Sequence, residues 1–266
     1  MTESALLDEQ TIENALAGYF PELEKKLPEK DVAFCKRVYA PPLERYAERI
    51  RALGFTGLDA VLDACAGFGQ WSLVFAQMNR RVHACDLNPV RLDVLDGVAR
   101  AMGLDIRTAV SRLDAMPYED ASFDAIFCYS SFFCTPWRES LREVHRVLKP
   151  GGRFYCNLNA LGYQLYLWVE EPNRIGSHTP RISVPRTFQN TLDYMESRRA
   201  PEYGQIIIEP DEMREALDEL GFGLVALDAE GHIDTSGGSH PPQPFFPSHY
   251  MGQVCCYEIL AQKPGA

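Results

Sequence analysis

From Leu58 onward, short apolar runs of strand length alternate with amphipathic stretches of helical spacing. The apolar runs predict strands at 60–64, 81–85, 106–110, 125–129, 153–158, 224–228 and 254–261. The amphipathic stretches predict helices at about 70–79, 89–102 and 137–147, and another from Glu209 to Gly221. Strands that alternate with helices form a mostly parallel sheet with helices on both faces. We therefore predict an α/β fold with a seven-stranded, mostly parallel sheet.

Residues 1–56 have a different pattern, because they are mostly polar and show helical spacing without strand-like runs. A helix that follows the Pro41-Pro42 break would carry one apolar face, formed by Leu43, Tyr46, Ala47, Ile50 and Leu53. We predict an N-terminal helical cap over residues 1–56, packed on a core that begins at residue 57.

The alternation of strands and helices stops after the fifth predicted strand. Residues 159–208 are rich in aromatic residues, arginines and prolines, and they are too many for an ordinary connection. We predict that this insertion has its own helical and loop structure and covers a substrate as a lid. The core would then span residues 57–158 and continue over 209–266, where loop 231–253 would be a second substrate-covering segment.

The charge balance limits the classes of partner. There are 26 basic and 37 acidic residues, which gives a formal net charge of -11. An acidic surface repels phosphate backbones, so we do not expect a nucleic-acid substrate. The sequence shows neither a signal-peptide pattern nor an apolar run of membrane-spanning length, which predicts a cytoplasmic protein without a membrane partner. Eight cysteines without a C-x-x-C pair then predict free thiols and no metal site.

The first predicted strand ends at Asp63 and continues into a turn of small residues that contains Gly67 and Gly69. Ligands of open α/β sheets bind at the carboxyl ends of the strands, and small residues let a ligand approach the backbone there. The glycine pattern is weak by itself, because Ser72 stands where a dinucleotide fingerprint has its third glycine.

Three further strand ends carry candidate ligand contacts. Asp86 ends the second strand, where a carboxylate can accept hydrogen bonds from two ribose hydroxyls. Asp114 follows the third strand and is placed to meet an adenine amino group. The fourth strand leads into residues 129–133, YSSFF, which we expect to form a wall of the reaction site.

Four stretches in order resemble the class I S-adenosylmethionine (SAM)-dependent methyltransferases. They are DACAGFG (63–69), SRLDAMPYEDASFDAIF (111–127), EVHRVLKPGGRF (143–154) and EPDEMREALDELGF (209–222). Asp86 matches the family's acidic residue after the second strand. Two departures are Cys65 at the first glycine of the motif, and Ser111-Arg112-Leu113 where a glycine usually precedes the aspartate.

This resemblance implies a Rossmann-like fold that binds SAM and releases S-adenosylhomocysteine. The glycines at 67 and 69 would lie along the methionine part of the cofactor, and Asp86 would bind its ribose. Leu87 and Met116 would enclose the adenine. The residues implied for the cofactor are Asp63, Ala64, Gly67, Gly69, Asp86, Leu87, Asp114, Ala115, Met116, Tyr129 and Ser130.

The acceptor side is less defined. A hydroxyl or protonated amine that accepts a methyl group must lose a proton, so a general base is expected. His178, His240 and His249 lie in the covering segments and are the candidates, although surface histidines in loops are common. Candidate substrate contacts, which would otherwise be packing or surface residues, are Phe132, Phe133, Tyr163, Trp168, Arg186 and Tyr250.

The sequence thus predicts an enzyme that transfers a methyl group from SAM to an oxygen or nitrogen atom of a small molecule, within biosynthetic or specialised metabolism. Three alternatives stay open at this point. They are a methyltransferase that acts on protein or RNA, a SAM- or nucleotide-binding regulator without catalysis, and a nicotinamide-dependent oxidoreductase. The sequence predicts neither the acceptor nor the oligomeric state.

Overall fold

The computed structural model describes residues 9–176, 178–198 and 204–265. Three helices precede the sheet: α1 (Glu9–Lys26), α2 (Glu29–Val38) and α3 (Leu43–Ala52). Prolines at positions 28 and 42 stand just before α2 and α3, where a residue without a backbone N–H fits a helix start. The predicted apolar face of α3 is buried in full, including Leu53 just after the helix.

Seven strands form the main sheet: β1 (Ala60–Ala64), β2 (Arg81–Asp86), β3 (Ile106–Val110), β4 (Phe123–Cys128), β5 (Leu148–Asn159), β6 (Gly223–Ala229) and β9 (Cys256–Gln262). Their order is β3-β2-β1-β4-β5-β9-β6. The first five are parallel, whereas β9 lies antiparallel to both neighbours. The predicted seven-stranded, mostly parallel sheet is confirmed.

Helices cover both faces of the sheet. On one face, α4 (Gln70–Met78) and α5 (Pro89–Ala101) pack together with α1 to α3. On the other face lie α6 (Trp137–Val147) and α9 (Pro210–Glu219). Along β4 the side chains alternate between these two layers, with Phe127 in the first and Ile126 in the second. Because both faces of the sheet are covered, β4 is apolar at every position except Asp124.

The insertion after β5 forms two helices, α7 (Leu161–Glu170) and α8 (Pro180–Ser197). Tyr194 of α8 is buried against α6, where its ring lies 6.4 Å from that of Trp137. Helix α9 then begins with a capping box, in which Glu209 and Glu212 exchange side-chain and backbone hydrogen bonds. None of the described helices has both the length and the apolar character that crossing a membrane requires.

Several strand boundaries differ from the prediction by one or two residues, and two differences are larger. Strand β5 begins at Leu148, five residues early, because Leu148 pairs with Phe123 and the strand continues through Gly151-Gly152. Before β9, a short hairpin of β7 (His249–Tyr250) and β8 (Gln253–Val254) was not predicted. Its turn places Met251 in the left-handed region, with φ 49°, where a methionine gives no sequence signal for a turn.

Candidate active site

The turn after β1 is fixed by backbone geometry. Cys65, Gly67 and Gly69 all have positive φ angles, of 59°, 59° and 84°. Gly69 caps the N-terminus of α4, and a side chain there would overlap Leu95 of α5, so this position requires glycine. Cys65 adopts the same left-handed region without being glycine, which stores backbone strain in the turn. The motif's departure therefore lies at a strained position.

Asp86 ties the turn to the end of β2. Its Oδ2 atom accepts a hydrogen bond from the Gly67 backbone at 2.9 Å, and Oδ1 accepts one from Asn88 at 2.8 Å. The side chain is almost fully buried. Because a carboxylate has about four lone-pair sites, each oxygen keeps a site for a second donor. Asp86 thus closes the turn and also presents acceptors, as expected for a ribose contact.

Asp63 is buried beside it at the end of β1. Its Oδ2 atom accepts a hydrogen bond from the Ser72 hydroxyl at 2.5 Å. Burial raises the Asp63 pKa to about 7, the nearby Asp86 charge adds to this rise, and the Ser72 hydrogen bond opposes it. In the part of the chain that the structure describes, no arginine, lysine or histidine forms an ion pair with Asp63 or Asp86.

The expected adenine side contains a contact that the sequence did not predict. Arg112 donates two hydrogen bonds to Asp114, from Nε and Nη2, each of 2.9 Å. The Ala115 N–H makes only a long contact of 3.4 Å to the Arg112 carbonyl, so it can be donated elsewhere. Leu87 is exposed and Met116 is buried. Arg112, at the second departure from the family pattern, therefore already occupies Asp114, the residue predicted to meet the adenine.

Helix α2 lies over the glycine turn. The Tyr39 hydroxyl donates to the Phe68 carbonyl at 2.6 Å, and the ring centroids of Phe34 and Phe68 are 5.9 Å apart. Arg91 of α5 packs its guanidinium over both phenylalanine rings and bonds to Asp31 of α2 at 2.6 Å. The N-terminal helices thus contact the candidate cofactor turn directly.

The segment after β4 contains predicted cofactor contacts and predicted substrate contacts, and the structure treats the two groups differently. Ser130 has a φ of 56°, and its N–H donates to Asn157 Oδ1 at 2.5 Å, which fixes the chain at the strand end. Phe132 and Phe133 are buried in the core layer near α6, so their rings offer little surface to a substrate in this conformation. Cys134, which follows them, is exposed, although its surroundings raise the thiol pKa to about 12 by desolvation.

A group of charged side chains that the sequence did not predict is buried behind Tyr129. We call it the Arg49 network, and its members are Arg49, Tyr129, Tyr155, Glu230 and Glu258. Arg49, on α3, bonds to Glu230 at 2.9 Å and to Glu258 at 2.8 Å, and all three side chains are fully buried. Tyr129 donates to Glu230 and Tyr155 to Glu258, both at 2.6 Å.

Backbone groups complete the Arg49 network. The N–H groups of His232 and Ile233 donate to Glu258, and those of Phe245 and Phe246 donate to Glu230. Burial raises the pKa of Glu258, and the charge of Arg49 opposes this rise. Loop 231–253 and the N-terminal helices are therefore held to the sheet at the end of β4. One signal was readable: a glutamate inside the apolar run CYEILA implies a buried partner.

A chain of aromatic rings runs outward from Tyr129. Its ring lies 6.2 Å from Phe246, which in turn lies 6.1 Å from Tyr163. Tyr166 continues the chain, 6.2 Å from Tyr163 and 5.5 Å from Tyr250. Two predicted substrate contacts, Tyr163 and Tyr250, thus belong to one aromatic wall that connects the strand end with the surface.

The other acceptor-side candidates lie apart from one another. Trp168 is exposed at the end of α7, and Arg186 lies on the exposed side of α8. His178 forms a backbone bridge with Ile175, His240 lies 3.2 Å from Glu48, and His249 is exposed next to Ser248. Within the described ranges, no hydrogen bond joins these histidines to Tyr129 or to the glycine turn. The structure therefore does not bring the three candidate bases together.

Comparison with known proteins now adds to this geometry. A family model described as a methyltransferase domain matches residues 61–152, from the glycine turn to Gly152. Methyltransferase GfsG of Streptomyces halstedii is 34% identical over 121 residues, which cover 42% of this chain and 44% of that protein. A demethylmenaquinone methyltransferase of Deinococcus radiodurans is 35% identical over 96 residues, covering 35% and 40%. The chain thus matches less than half the length of these relatives.

Over residues 61–152 the chain matches a methyltransferase domain, and this stretch is similar to the class I SAM-dependent methyltransferases. The matched residues contain the glycine turn, Asp86 and Asp114, so the family assignment rests on the same strand ends as the geometry. In methyltransferase terms, the turn after β1 is the family's glycine motif with a cysteine at its first glycine. The N-terminal helices, the insertion and loop 231–253 lie outside the matched residues.

Solved structures share the fold of this chain. Geranyl diphosphate methyltransferase in complex with SAM has a TM-score of 0.58 at 17% identity, covering 83% of this chain and 85% of that chain. A SAM-dependent methyltransferase from Methanosarcina mazei has a TM-score of 0.54 at 20% identity, covering 78% and 93%. The [4+2]-cyclase SpnF has a TM-score of 0.57 at 17% identity, covering 84% and 81%. At these identities the likeness shows the fold alone.

Proposed function

We propose that this protein binds SAM at the glycine turn and transfers its methyl group to an oxygen or nitrogen atom of a small molecule. The observation that carries the proposal is the buried acidic pair, Asp63 and Asp86, closed against the turn and, among the residues that the structure describes, without an ion pair to a basic side chain. Such a pair has acceptors for the ribose hydroxyls and a negative charge for a cationic ligand, and SAM supplies both partners.

The residues of the chain fit this cofactor at each end. The left-handed turn at Gly67 and Gly69 has no side chain at these two positions to keep the methionine part from its backbone, although both glycines are buried in this conformation. Asp86 would accept hydrogen bonds from the ribose. When bound, the cofactor supplies an electrophilic methyl group on a positively charged sulfur. The Ala115 N–H and the Asp114 carboxylate are offered to the adenine edge, with Arg112 as a competing partner of Asp114.

The protein's own part in the transfer is mainly alignment and exclusion of water. Orienting two reactants in a closed site contributes up to about 7–11 kcal/mol in favourable cases. Tyr39 and Phe34 of α2 lie over the turn, and the aromatic wall from Tyr129 to Tyr250 holds the acceptor. Of the three candidate bases, His249 is next to Tyr250 at the outer end of this wall, and we propose it for proton removal.

A small acceptor is favoured over a macromolecule. The known relatives include demethylmenaquinone methyltransferase, and one solved neighbour methylates geranyl diphosphate according to its name, both with small substrates. The aromatic wall offers apolar contact, whereas a net charge of -11 opposes RNA. One structural neighbour is a methyltransferase in complex with the Trm112 activator, so protein and RNA acceptors belong in the assay.

The first test measures SAM affinity by isothermal titration calorimetry. Asp86→Asn removes a charge-assisted acceptor, and such a hydrogen bond contributes about 1.5–3 kcal/mol, which is a loss of about 10-fold to 150-fold in affinity. Asp93→Asn is the matched control, because Asp93 lies on the exposed side of α5. Absence of SAM binding by the unmodified protein, or equal affinity in both variants, would overturn the proposed site.

The second test separates catalysis from binding alone. The protein is incubated with SAM and either a metabolite extract, a protein extract or transfer RNA, and S-adenosylhomocysteine is quantified. We expect turnover only with the metabolite extract. Turnover with protein or RNA alone contradicts the small acceptor. SAM binding without product in all three mixtures contradicts methyl transfer, an outcome that matters because a neighbour of the same fold is named a cyclase.

A further inference from the structure

Helix α8 has two apolar sides, and only one of them is covered by the protein. Val184, Thr187 and Tyr194 are buried against the rest of the chain. Ile182, Phe188, Leu192 and Met195 are 66%, 41%, 56% and 58% exposed. Together with Pro185 these four residues follow one another at intervals of three and four, which places them along one side of the helix. We call this side, formed by residues 182, 185, 188, 192 and 195, the α8 face.

Exposed apolar residues that stand singly are normal, but a continuous stripe along a helix marks an interaction surface. The α8 face extends over most of an 18-residue helix, a length of about 27 Å. Trp168 and Val169 at the end of α7 are also exposed, and Arg181 at the start of α8 stacks on the Trp168 ring. The apolar surface therefore continues from α8 onto α7.

The charges beside the α8 face are arranged in an unusual order. Arg181 is in the first turn of the helix and Glu196 is in the last, and α8 has neither an acidic first turn nor a basic last turn. A helix dipole favours the opposite arrangement, with acidic residues first and basic residues last. Arg181 already bonds within its own chain to Glu171 and to the Trp168 carbonyl, and Arg198 is the C-cap residue. An antiparallel copy would add Glu196 to the acceptors around Arg181.

The apolar and charged positions agree on one axis of symmetry. If two copies of α8 pack antiparallel about an axis near Phe188, Ile182 faces Met195 of the other copy and Pro185 faces Leu192. The same register places Arg181 opposite Glu196. One charge pair thus agrees with the apolar register, and the pairing is self-complementary, which is the requirement of an isologous two-fold interface.

We propose that the α8 face docks on the α8 face of a second copy of this chain and forms a two-fold symmetric dimer. The glycine turn and the Arg49 network are not members of the face. The proposal therefore does not depend on the proposed methyl transfer, and each can fail without the other.

The test is sedimentation velocity of the full chain over a range of concentrations. We expect a reversible dimer, and we expect Leu192→Glu to weaken it at least 10-fold, because a charge then lies within the apolar stripe. Val225→Glu is the matched control, since Val225 is an exposed apolar residue on β6, away from α8. Circular dichroism checks that each variant stays folded. A monomer at every concentration, or a dimer equally strong in Leu192→Glu, overturns the proposal.

Charge exchange tests the antiparallel register. Glu196→Arg should weaken the dimer by placing two arginines together, and adding Arg181→Glu in the same chain should restore it. A double variant as weak as Glu196→Arg alone contradicts this register. A membrane surface is the competing occupant, and it is tested by co-sedimentation with phosphatidylcholine vesicles. Vesicle binding by the unmodified chain that Leu192→Glu abolishes would assign the α8 face to lipid and overturn the dimer.

Discussion

Asp63 and Glu258 are both buried carboxylates in strands of the same sheet, and they differ in what surrounds them. Glu258 is bonded to Arg49, to the Tyr155 hydroxyl and to two backbone N–H groups. Asp63 has the Ser72 hydroxyl and, as its charged neighbour, the like charge of Asp86. Burial raises both pKa values, but Arg49 opposes the rise at Glu258.

The difference separates a buried charge cluster that completes the fold from a buried acidic pair for which we propose a ligand. In the Arg49 network the chain supplies its own counter-charge, so the carboxylates hold segments together. At the glycine turn no basic side chain among the described residues forms an ion pair with Asp63 or Asp86, and the proposed cationic ligand would supply that counter-charge. On this proposal the stability cost of burying Asp63 is connected to binding, whereas the cost at Glu258 is offset within the protein.

The largest expected effect comes from removing the counter-charge of the Arg49 network. Arg49→Met leaves two buried carboxylates without their cation, which should lower the free energy of unfolding by about 3–5 kcal/mol. Urea denaturation followed by circular dichroism measures it. Arg51→Met is the control: Arg51 pairs with Glu44 and Glu48 near the surface, and such pairs contribute about 0–1 kcal/mol. Equal losses in the two variants would contradict the distinction.

The next largest expected effect is a gain in stability, from a substitution at Asp63. A folded-state pKa of about 7 means that native Asp63 keeps a proton that unfolded chains release near pH 4. The stability it contributes is present below pH 4 and is lost as the pH rises to 7. Asp63→Asn without ligand should therefore raise the free energy of unfolding at pH 8 by at most about 4 kcal/mol.

The gain in the free energy of unfolding from Asp63→Asn should disappear when urea denaturation is repeated near pH 4. Asp93→Asn, on the exposed side of α5, should show no such pH dependence. SAM binding by the unmodified protein should release a proton near pH 7, measured as a heat that changes with the ionisation enthalpy of the buffer. A gain that is the same at both pH values would show that charge burial is not its cause.

The smallest expected effect concerns Tyr129, which follows β4 and donates a hydrogen bond to Glu230 of the Arg49 network. Tyr129→Phe removes one donor to Glu230, which keeps Arg49 and two backbone partners, so a loss of about 0.5–1.5 kcal/mol is expected in urea denaturation. Tyr118→Phe is the matched control, because the Tyr118 hydroxyl is buried without a hydrogen-bond partner. That variant should be neutral or stabilising. A larger loss in Tyr118→Phe than in Tyr129→Phe would contradict the role given to Tyr129.

Much of the core followed from local pattern. Strands β1 and β3 and helix α6 have the predicted bounds, because their apolar periodicity and their ends are set by neighbouring residues. Strand β5 is longer than predicted because β4 pairs with it across two glycines. The two glycines indicate a strand break in the local sequence. The strand extends past them because Leu148 pairs with Phe123 of the neighbouring strand.

The candidate site also has a part that could be predicted from local sequence and a part that could not. The positions of Asp63, Gly67, Gly69 and Asp86 could be predicted, since strand ends of a parallel sheet meet at one edge. The glutamate inside the apolar run of β9 implied a buried partner, but the identity of that partner could not be predicted, because Arg49 is 209 residues from Glu258 and 181 from Glu230. On an amphipathic helix, an arginine is expected on the side that faces solvent. Likewise, nothing local indicated that Arg112 bonds to Asp114, although the missing glycine marked the position.

The span of the Arg49 network has a consequence for the order of folding during synthesis. Helix α3 leaves the ribosome early, yet Glu258 follows Arg49 by 209 residues. At about 5–20 residues per second, that separation is about 10–40 s of translation. Throughout this interval the arginine has no Glu258 to bury against. The ion pair between Arg49 and Glu258 can therefore form only after the last strand is made, although α4 and α5, on which the N-terminal helices pack, are synthesised much earlier.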